Sequence, residues 1–258
     1  MGNHIDALDP AAIHLPGVEV RVLASCGSTN SVLLAERIGA PLLLAAEEQT
    51  AGRGRRGRRW LSAPGRDLTF SFARRLGRPA RELAALSLVA GVAVTQALRA
   101  LGVSHAAIKW PNDVLAGEAK LGGILVETRL SAGTSVAVVG VGINYRSDAE
   151  RARRTRRRVA FLEELLPSLP SRNAVIERIG RALLQALEAF ERRGFEAVRA
   201  DWLALHAHAG RRLRVRLADG RTLTGIADGL DRDGGLQLRT RAGLRAVRSG
   251  QVLSARNA

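Results

Sequence analysis

The chain has 258 residues, 46% of them apolar and 25% charged, with 27 Gly and 8 Pro. That balance excludes a mainly disordered or collagen-like polymer and leaves room for one large domain or two ordinary ones. The net charge of +16 raises the expectation of an anionic or phosphate-bearing ligand. It is written almost wholly in arginine, however: 38 Arg stand against two Lys, Lys109 and Lys120. So uniform a preference reads as a compositional bias, which makes each lysine a candidate for a place where a guanidinium would not fit.

Residues 18–24 (VEVRVLA) alternate and predict a strand. Ser28-Thr29-Asn30 supplies a cap for a short helix over SVLLAERI. Pro41 to Ala46 reads as a buried strand, and the glycines between Gln49 and Arg59 predict a loop. In 67–74, Leu68, Phe70 and Phe72 share one strand face. A long apolar helix is expected from Glu82 to Leu101, closed by Gly102. Its uncharged run, between Glu82 and Arg99, is too short for a bilayer, which needs about 20 apolar residues. Strands are expected at 106–110, 123–128 and 135–141, and an arginine-rich loop or frayed turn at 146–158. Asn173 is placed to cap a helix whose Val175, Ile179, Leu183, Leu187 and Phe190 form one stripe, with Gly194 ending it.

Beyond His208 the texture changes to short alternating strands, with turns at Asp219-Gly220 and Asp233-Gly234-Gly235. The expected fold is α+β: a mixed-sheet domain over 1–208, then a small β-barrel over 209–258. Cys26 stands alone, so neither a disulfide framework nor a cysteine-rich zinc site is expected, and a reducing, cytoplasmic setting fits. The first ten residues, MGNHIDALDP, do not have the pattern of a secretory signal.

Four segments carry chemistry. In Gln49-Thr50-Ala51-Gly52-Arg53-Gly54-Arg55-Arg56-Gly57-Arg58-Arg59-Trp60, glycines let backbone N–H groups approach an anion while arginines supply forked donors. An RNA-backbone or merely solvated basic loop is the alternative. Lys109-Trp110-Pro111-Asn112-Asp113 puts two polar side chains at a strand exit, although the same residues make an ordinary turn. Lys120-Leu121-Gly122-Gly123 sets a lysine before a glycine pair, or else a surface lysine in a hairpin turn. Gly140-Val141-Gly142-Ile143-Asn144 ends a buried strand in an amide.

Taken together and in this order, with Ser28-Thr29-Asn30, the GRGRRGRRW loop, KWPND, KLGGILVE and VGIN, the chain resembles a biotin protein ligase (biotin–[acetyl-CoA-carboxylase] ligase) from about residue 18 onward. The resemblance implies the catalytic fold shared with lipoate ligases followed by an SH3-like barrel. It implies activation of biotin by MgATP to biotinyl-5′-AMP, then transfer to a lysine of a biotin carboxyl carrier protein. It places Ser28, Thr29, Asn30 and Gln49, with Gly52 and Arg53, around biotin. Arg53, Gly54 and Arg55 would wrap the carboxylate and α-phosphate, and Lys120 would bridge them. Arg55 and Lys120 are therefore the expected catalytic cations. Asn112 and Asp113 would meet the triphosphate and magnesium, and Asn144 the adenine. No residue other than Asp113 suggests itself as a metal ligand.

Family members that repress transcription carry an N-terminal winged helix. With a first strand expected at residue 18 there is no room for one here, so a monofunctional ligase without specific DNA binding is expected, and no membrane association. The loop that covers the adenylate in the family falls near 146–160, where this chain is arginine-rich and has no aromatic to cap adenine. Ligases of this type can pair through the catalytic sheet, so a homodimer is compatible with the resemblance. Two other readings compete. A lipoate or octanoate ligase would leave the polar trio Ser28, Thr29 and Gln49 without a urea to meet. A nucleic-acid-binding protein would have to stack bases on a chain with 9 aromatics in all. The five histidines, His4, His14, His105, His206 and His208, read as surface or structural residues.

Overall fold

The computed structural model describes residues 6–131, 134–148, 153 and 158–257. His4 and most of the expected arginine-rich turn at 146–158 lie outside them. Twelve strands are described, with five α-helices among them. In chain order they begin with β1 (Glu19–Cys26), α1 (Thr29–Ala35), β2 (Leu42–Gln49), β3 (Asp67–Leu76) and α2 (Leu86–Ala100). There follow β4 (Ala106–Lys109), β5 (Asp113–Ala116), β6 (Ala119–Ser131), β7 (Thr134–Asn144), α3 (Leu162–Leu165), α4 (Arg172–Arg193) and α5 (Glu196–Leu205). The chain closes with β8 (Arg212–Leu217), β9 (Thr222–Leu230), β10 (Leu236–Thr240), β11 (Gly243–Val247) and β12 (Gly250–Arg256).

The first seven strands form a sheet in the order β1-β2-β3-β7-β6-β5-β4. Only β1 and β2 run parallel, as a crossover through α1 requires. Every other neighbouring pair is antiparallel, so the sheet is mixed as expected. Side-chain alternation divides its two faces. Leu43 and Ala45 of β2, Leu68, Phe70 and Phe72 of β3, and Val139, Val141 and Ile143 of β7 enter the main core with α2 and α4. Leu42 and Leu44, Ala73, and Val136 and Val138 point the other way, to a smaller cluster under Leu33 of α1. Strand β2 is therefore apolar on both sides, which is why its sequence reads as an unbroken hydrophobic run. On the α1 side of the sheet the side chains shrink and turn polar beyond this cluster: Ser71 on β3, Gly140 and Gly142 on β7, and Gly123 on β6. That change opens the site.

Local details depart from expectation for identifiable reasons. The apolar helix begins as a 3-10 segment at Ala80–Ala85 and becomes α-helical only at Leu86. The 21-residue stretch Ala80–Ala100 is long and apolar enough by composition to cross a membrane, contrary to the count of uncharged residues alone. Here 72% of the qualifying window is packed inside the protein, as a core helix would be. Ser171, not Asn173, caps α4, its hydroxyl accepting from the Ala174 N–H at 3.2 Å. The Asn173 amide is engaged instead with Asp9 N and Ala7 O. All five members of the predicted α4 stripe are fully buried.

The last five strands form an antiparallel sheet in the order β11-β10-β9-β8-β12, with the predicted turns at Gly220 and Gly234 in the left-handed region. No ladder joins β11 to β12 among the described residues, so the expected barrel is seen as a sheet with two free edges. Polar anchors join it to the first sheet and to α5. The Trp110 indole N–H donates to Gly234 O at 3.3 Å, Arg199 to Leu230 O at 2.9 Å, and Arg211 pairs with Glu118 at 2.5 Å.

At the same junction, His206 pairs its backbone with Ile108 of β4, and Ala207 N donates to Ile108 O at 2.9 Å. The His206 ring lies 4.6 Å from Trp202, centroid to centroid, and neither of its nitrogens has a partner. Burial, then His208, lowers its pKa from 6.5 to about 3. Burial, then Lys109 and Arg211, against an opposing pull from Glu118, lowers that of His208 to about 4. Because the unfolded chain binds these protons first, the stability both rings allow is complete above pH 6.5 and is lost as the pH falls towards 4 and then 3. The expected slope is up to about 1.4 kcal/mol per pH unit per histidine. Urea unfolding between pH 7 and 4.5 should show it, and His206→Phe should remove one histidine's share.

Candidate active site

A cavity of about 400 Å³ opens on the α1 side of the first sheet. Its floor depends on two missing side chains. A Cβ on Gly140 would sit 2.4 Å from Asn30 Oδ1, and one on Gly142 2.3 Å from the Trp60 ring. Asn30 and Trp60 thus lie directly on β7, one residue pair apart. Trp60 is fixed from its own side as well, since its backbone N–H donates to Gly52 O at 2.9 Å.

The glycine–arginine segment is more ordered than a plain loop. Arg53 and Arg59 form an antiparallel bridge, and Gly54 N donates to Arg58 O at 2.7 Å. A 3-10 turn, Arg55–Gly57, fills the tip. Arg56 has φ 58°, the left-handed region that a non-glycine residue rarely takes. Such strain collects at ligand clamps. Gly52, expected beside biotin, is not part of the cavity wall; its carbonyl holds Trp60, and a Cβ there would meet Trp60 O at 2.5 Å. All other predicted site residues line the cavity: Ser28, Thr29, Asn30, Gln49, Arg53, Gly54, Arg55, Asn112, Asp113, Lys120 and Asn144.

At one end, Ser28, Thr29 and Asn30 start α1. Ser28 stands at the cap position with no side-chain cap bond, and the buried trio turns into the cavity. Gln49 Oε1 accepts from Thr29 N at 2.8 Å, and the Thr29 hydroxyl lies 2.7 Å from Ser71 Oγ. Ser71 donates to Asn30 Oδ1 at 2.6 Å, and Asn30 Nδ2 donates to Glu127 Oε2 at 2.9 Å. Glu127 also pairs with Arg53 at 2.7 Å. Arg53, expected to face an anionic ligand, is thereby docked on a carboxylate of the protein.

At the other end, KWPND is the turn of a hairpin that pairs Lys109 with Asp113. The strand β5 that follows it was not expected, because four residues are too few for a periodic pattern. Lys120 Nζ meets Asp113 Oδ1 at 2.6 Å and stands 5.6 Å from the Trp60 ring centroid. Gly123 lies beneath it: a Cβ there would be 3.1 Å from Nζ. Asn112 donates to Ile124 O at 2.8 Å and accepts from Arg55 at 3.4 Å. Burial, then Arg56, lowers the Arg55 pKa from its ordinary value, with Asp113 opposing. Asn144 gives both amide hydrogens to backbone, Lys120 O and Ala160 O, each at 3.0 Å. It straps β6 to residues 158–160, which pair with Lys120 through Val159. An adenine donor from this NH₂ group is therefore not on offer in this arrangement.

The wall holds seven cationic side chains (five arginines of the loop, Lys109 and Lys120) against one carboxylate, Asp113. Among the described residues no group of three or more His, Cys, Asp or Glu could hold a metal. That donor set suits a magnesium ion carried in on phosphates, which needs one or two carboxylates from the protein. Trp60, Ser71, Glu127 and, from the second sheet, Gly250 to Val252 were not singled out as site residues. For Trp60 the signal was present, since a large aromatic closes the glycine–arginine run. Ser71 and Glu127 become visible only once β3, β6 and β7 lie side by side.

Residues 25–144 match the biotin/lipoate A/B protein ligase family, and residues 208–253 match the biotin protein ligase C-terminal domain. The chain is 36% identical to the bifunctional ligase/repressor BirA of Escherichia coli K12, over 87% of this chain and 70% of that protein. It is 35% identical to the biotin–[acetyl-CoA-carboxylase] ligase of Mycobacterium tuberculosis, over 92% and 90%. It is 32% identical to that of Paracoccus denitrificans, over 90% and 98%. The fold is similar to that of the biotin protein ligase from Aquifex aeolicus in complex with biotin and ATP. There the TM-score is 0.77 at 30% identity, covering 93% of this chain and 99% of that one. The chain belongs to the biotin protein ligase family.

Trp60 offers a direct check of the floor. Gly142→Ala should lift the indole off β7, destabilise the protein by about 1–3 kcal/mol and make Trp60 fluorescence more accessible to acrylamide. The same measurement in a Trp60→Phe background, where only Trp110 and Trp202 emit, gives the contribution to subtract.

Proposed function

We propose that this cavity joins biotin to ATP and passes the biotinyl group to a lysine of a biotin carboxyl carrier protein. The observation that carries the reading is the pairing of a small polar pocket, Ser28-Thr29-Gln49, with a strongly cationic one sharing the same floor. A cyclic urea has N–H donors and a carbonyl, which the first can meet; a carboxylate and a triphosphate need the second.

Biotin's carboxyl group is already ionised at neutral pH, so activation needs no general base. One carboxylate oxygen attacks the α-phosphorus, the bond to the β-phosphate oxygen breaks, and pyrophosphate leaves. The obstacle is repulsion between the two reactants, which positioned cations remove. Arg53 and Arg55 supply forked donors and Lys120 a compact ammonium, held on the cavity side by Asp113 and Trp60. In transfer, the carrier lysine's neutral amine attacks the acyl carbon of the mixed anhydride. AMP leaves, and the nitrogen loses a proton. Asn112 and Asp113 would face the phosphates and their magnesium, and Asn144 would face the nucleotide through the segment it straps.

We further infer that residues 1–208 act as the catalytic domain and 209–258 as a C-terminal domain of SH3-like type. The register shifts in β9/β10 and β8/β12, which curl a sheet, favour that reading. A cytoplasmic setting agrees with the solitary Cys26.

Incubation with biotin, ATP, magnesium and a carrier domain should add the mass of one biotin less water to the carrier, seen by intact mass spectrometry. No mass increase, with wild-type enzyme shown to be folded, removes the proposal. Lys120→Ala should slow biotinyl-AMP formation by about 100- to 1,000-fold in a pyrophosphate-release assay. Its circular dichroism should stay that of the wild type.

A further inference from the structure

We propose that Ser71 is a specificity-determining positioning residue: with Asn30 and Glu127 it fixes the Thr29 hydroxyl as an acceptor towards the cavity, so the ligand seated there must bring an N–H. This rests on the biotin reading above and adds to it the direction of each hydrogen bond.

The direction follows from counting protons. Asn30 Nδ2 lies 3.1 Å from Leu125 O and 2.9 Å from Glu127 Oε2. Both partners can only accept, since Glu127 is ion-paired with Arg53, so the nitrogen end of the Asn30 amide is settled. Its oxygen end therefore accepts, and the donor is Ser71 at 2.6 Å. Ser71 has one hydroxyl proton and has now used it. In its 2.7 Å contact with Thr29, Ser71 must accept and Thr29 must donate. The other acceptor within reach is Gln49 Oε1 at 3.2 Å, a longer contact to an oxygen that already takes the Thr29 backbone N–H at 2.8 Å, so the proton goes to Ser71. With its proton held by Ser71, a fully buried residue outside the cavity wall, Thr29 shows a ligand lone pairs alone. Gln49 is settled by the same logic: its oxygen accepts from Thr29 N–H, leaving its NH₂ group, beside Gly52, as the amide's donor.

The pocket thus presents an acceptor next to a donor, the complement of an N–H next to a C=O. Ser71 is fully buried and forms no part of the cavity wall, so it touches no ligand itself. It lies opposite Gly140 in the β3–β7 register, and the missing side chain of Gly140 is what lets Asn30 come down to it.

The test compares biotin with its two cyclic carbamate analogues, in which one or the other ureido N–H is replaced by a ring oxygen, by titration calorimetry. Wild-type protein should favour biotin by at least about 100-fold over the isomer that sets oxygen against Thr29. In Ser71→Ala the shorter acceptor of the Thr29 proton is gone, the hydroxyl can turn, and the preference should fall to about tenfold or less, with KM for ATP unchanged. Ser71→Cys, which leaves no cavity and bonds weakly, should fall between the two and serves if the alanine variant does not fold. An unchanged preference in a folded Ser71 variant overturns the proposal while leaving the ligase reading intact. Failure of the wild type to bind biotin removes the ligase reading itself.

Discussion

Two side chains that β7 does not have govern the rest of the site. A β-sheet face normally carries a side chain at every second residue, and here Val136 and Val138 pack under α1 in that way. At Gly140 and Gly142 the same face is bare backbone, and Asn30 and Trp60 descend into the space. The first brings the start of α1 into contact with β3 and β6, creating the buried polar chain. The second gives the cationic loop an apolar root and Lys120 a ring to stand over. Restoring the first Cβ would lift Asn30 from the sheet, and restoring the second would lift Trp60.

Concentrating seven cations around one cavity has a cost in mutual repulsion, and the protein limits it with its own acids. Glu127 holds Arg53, and Asp113 holds Lys120. Each acid occupies the cation that the proposed reaction would turn towards the carboxylate and α-phosphate. These pairs are partly exposed, so their contribution to stability is modest, about 1 kcal/mol or less. A modest pair suits such a role, because a substrate anion can displace it without a large penalty, and the lysine stays aimed until then.

The catalytic motifs were legible in the chain because each is contiguous. Glycines and arginines alternate in one run, and KWPND and VGIN each lie at the end of a strand. Long amphipathic or apolar elements were legible for the same reason: the α4 stripe follows from its periodicity, and β2 from an unbroken apolar run. What was not legible depends on neighbours distant in sequence. Strand β5 is too short to show a pattern and exists because β4 and β6 flank it. Ser71 looks like any polar residue on a half-buried strand until Asn30 is laid against it. Ser171 outcompetes Asn173 as a cap because the N-terminal segment claims the Asn173 amide. Asn144, read as a ligand contact, is drawn into holding residues 158–160, a pairing that spans 16 residues of chain.

The second sheet contributes to the cavity through β12, where Gly250, Gln251 and Val252 complete the wall. Gln251 accepts a hydrogen bond from Arg58, on the returning limb of the glycine–arginine loop. The outgoing limb is held by Glu127 through Arg53, so the loop is tied to one sheet at its start and to the other near its end. Its tip carries the strained Arg56 between these two ties. A loop anchored in this way is not a free flap: its position is coupled to how the two sheets sit against each other. The neutral His206 and His208, which lie where β4 meets the chain entering the second sheet, are part of the same joint. The fold thus places the motif hairpin, the cationic loop and the C-terminal sheet in one mechanical circuit around the cavity.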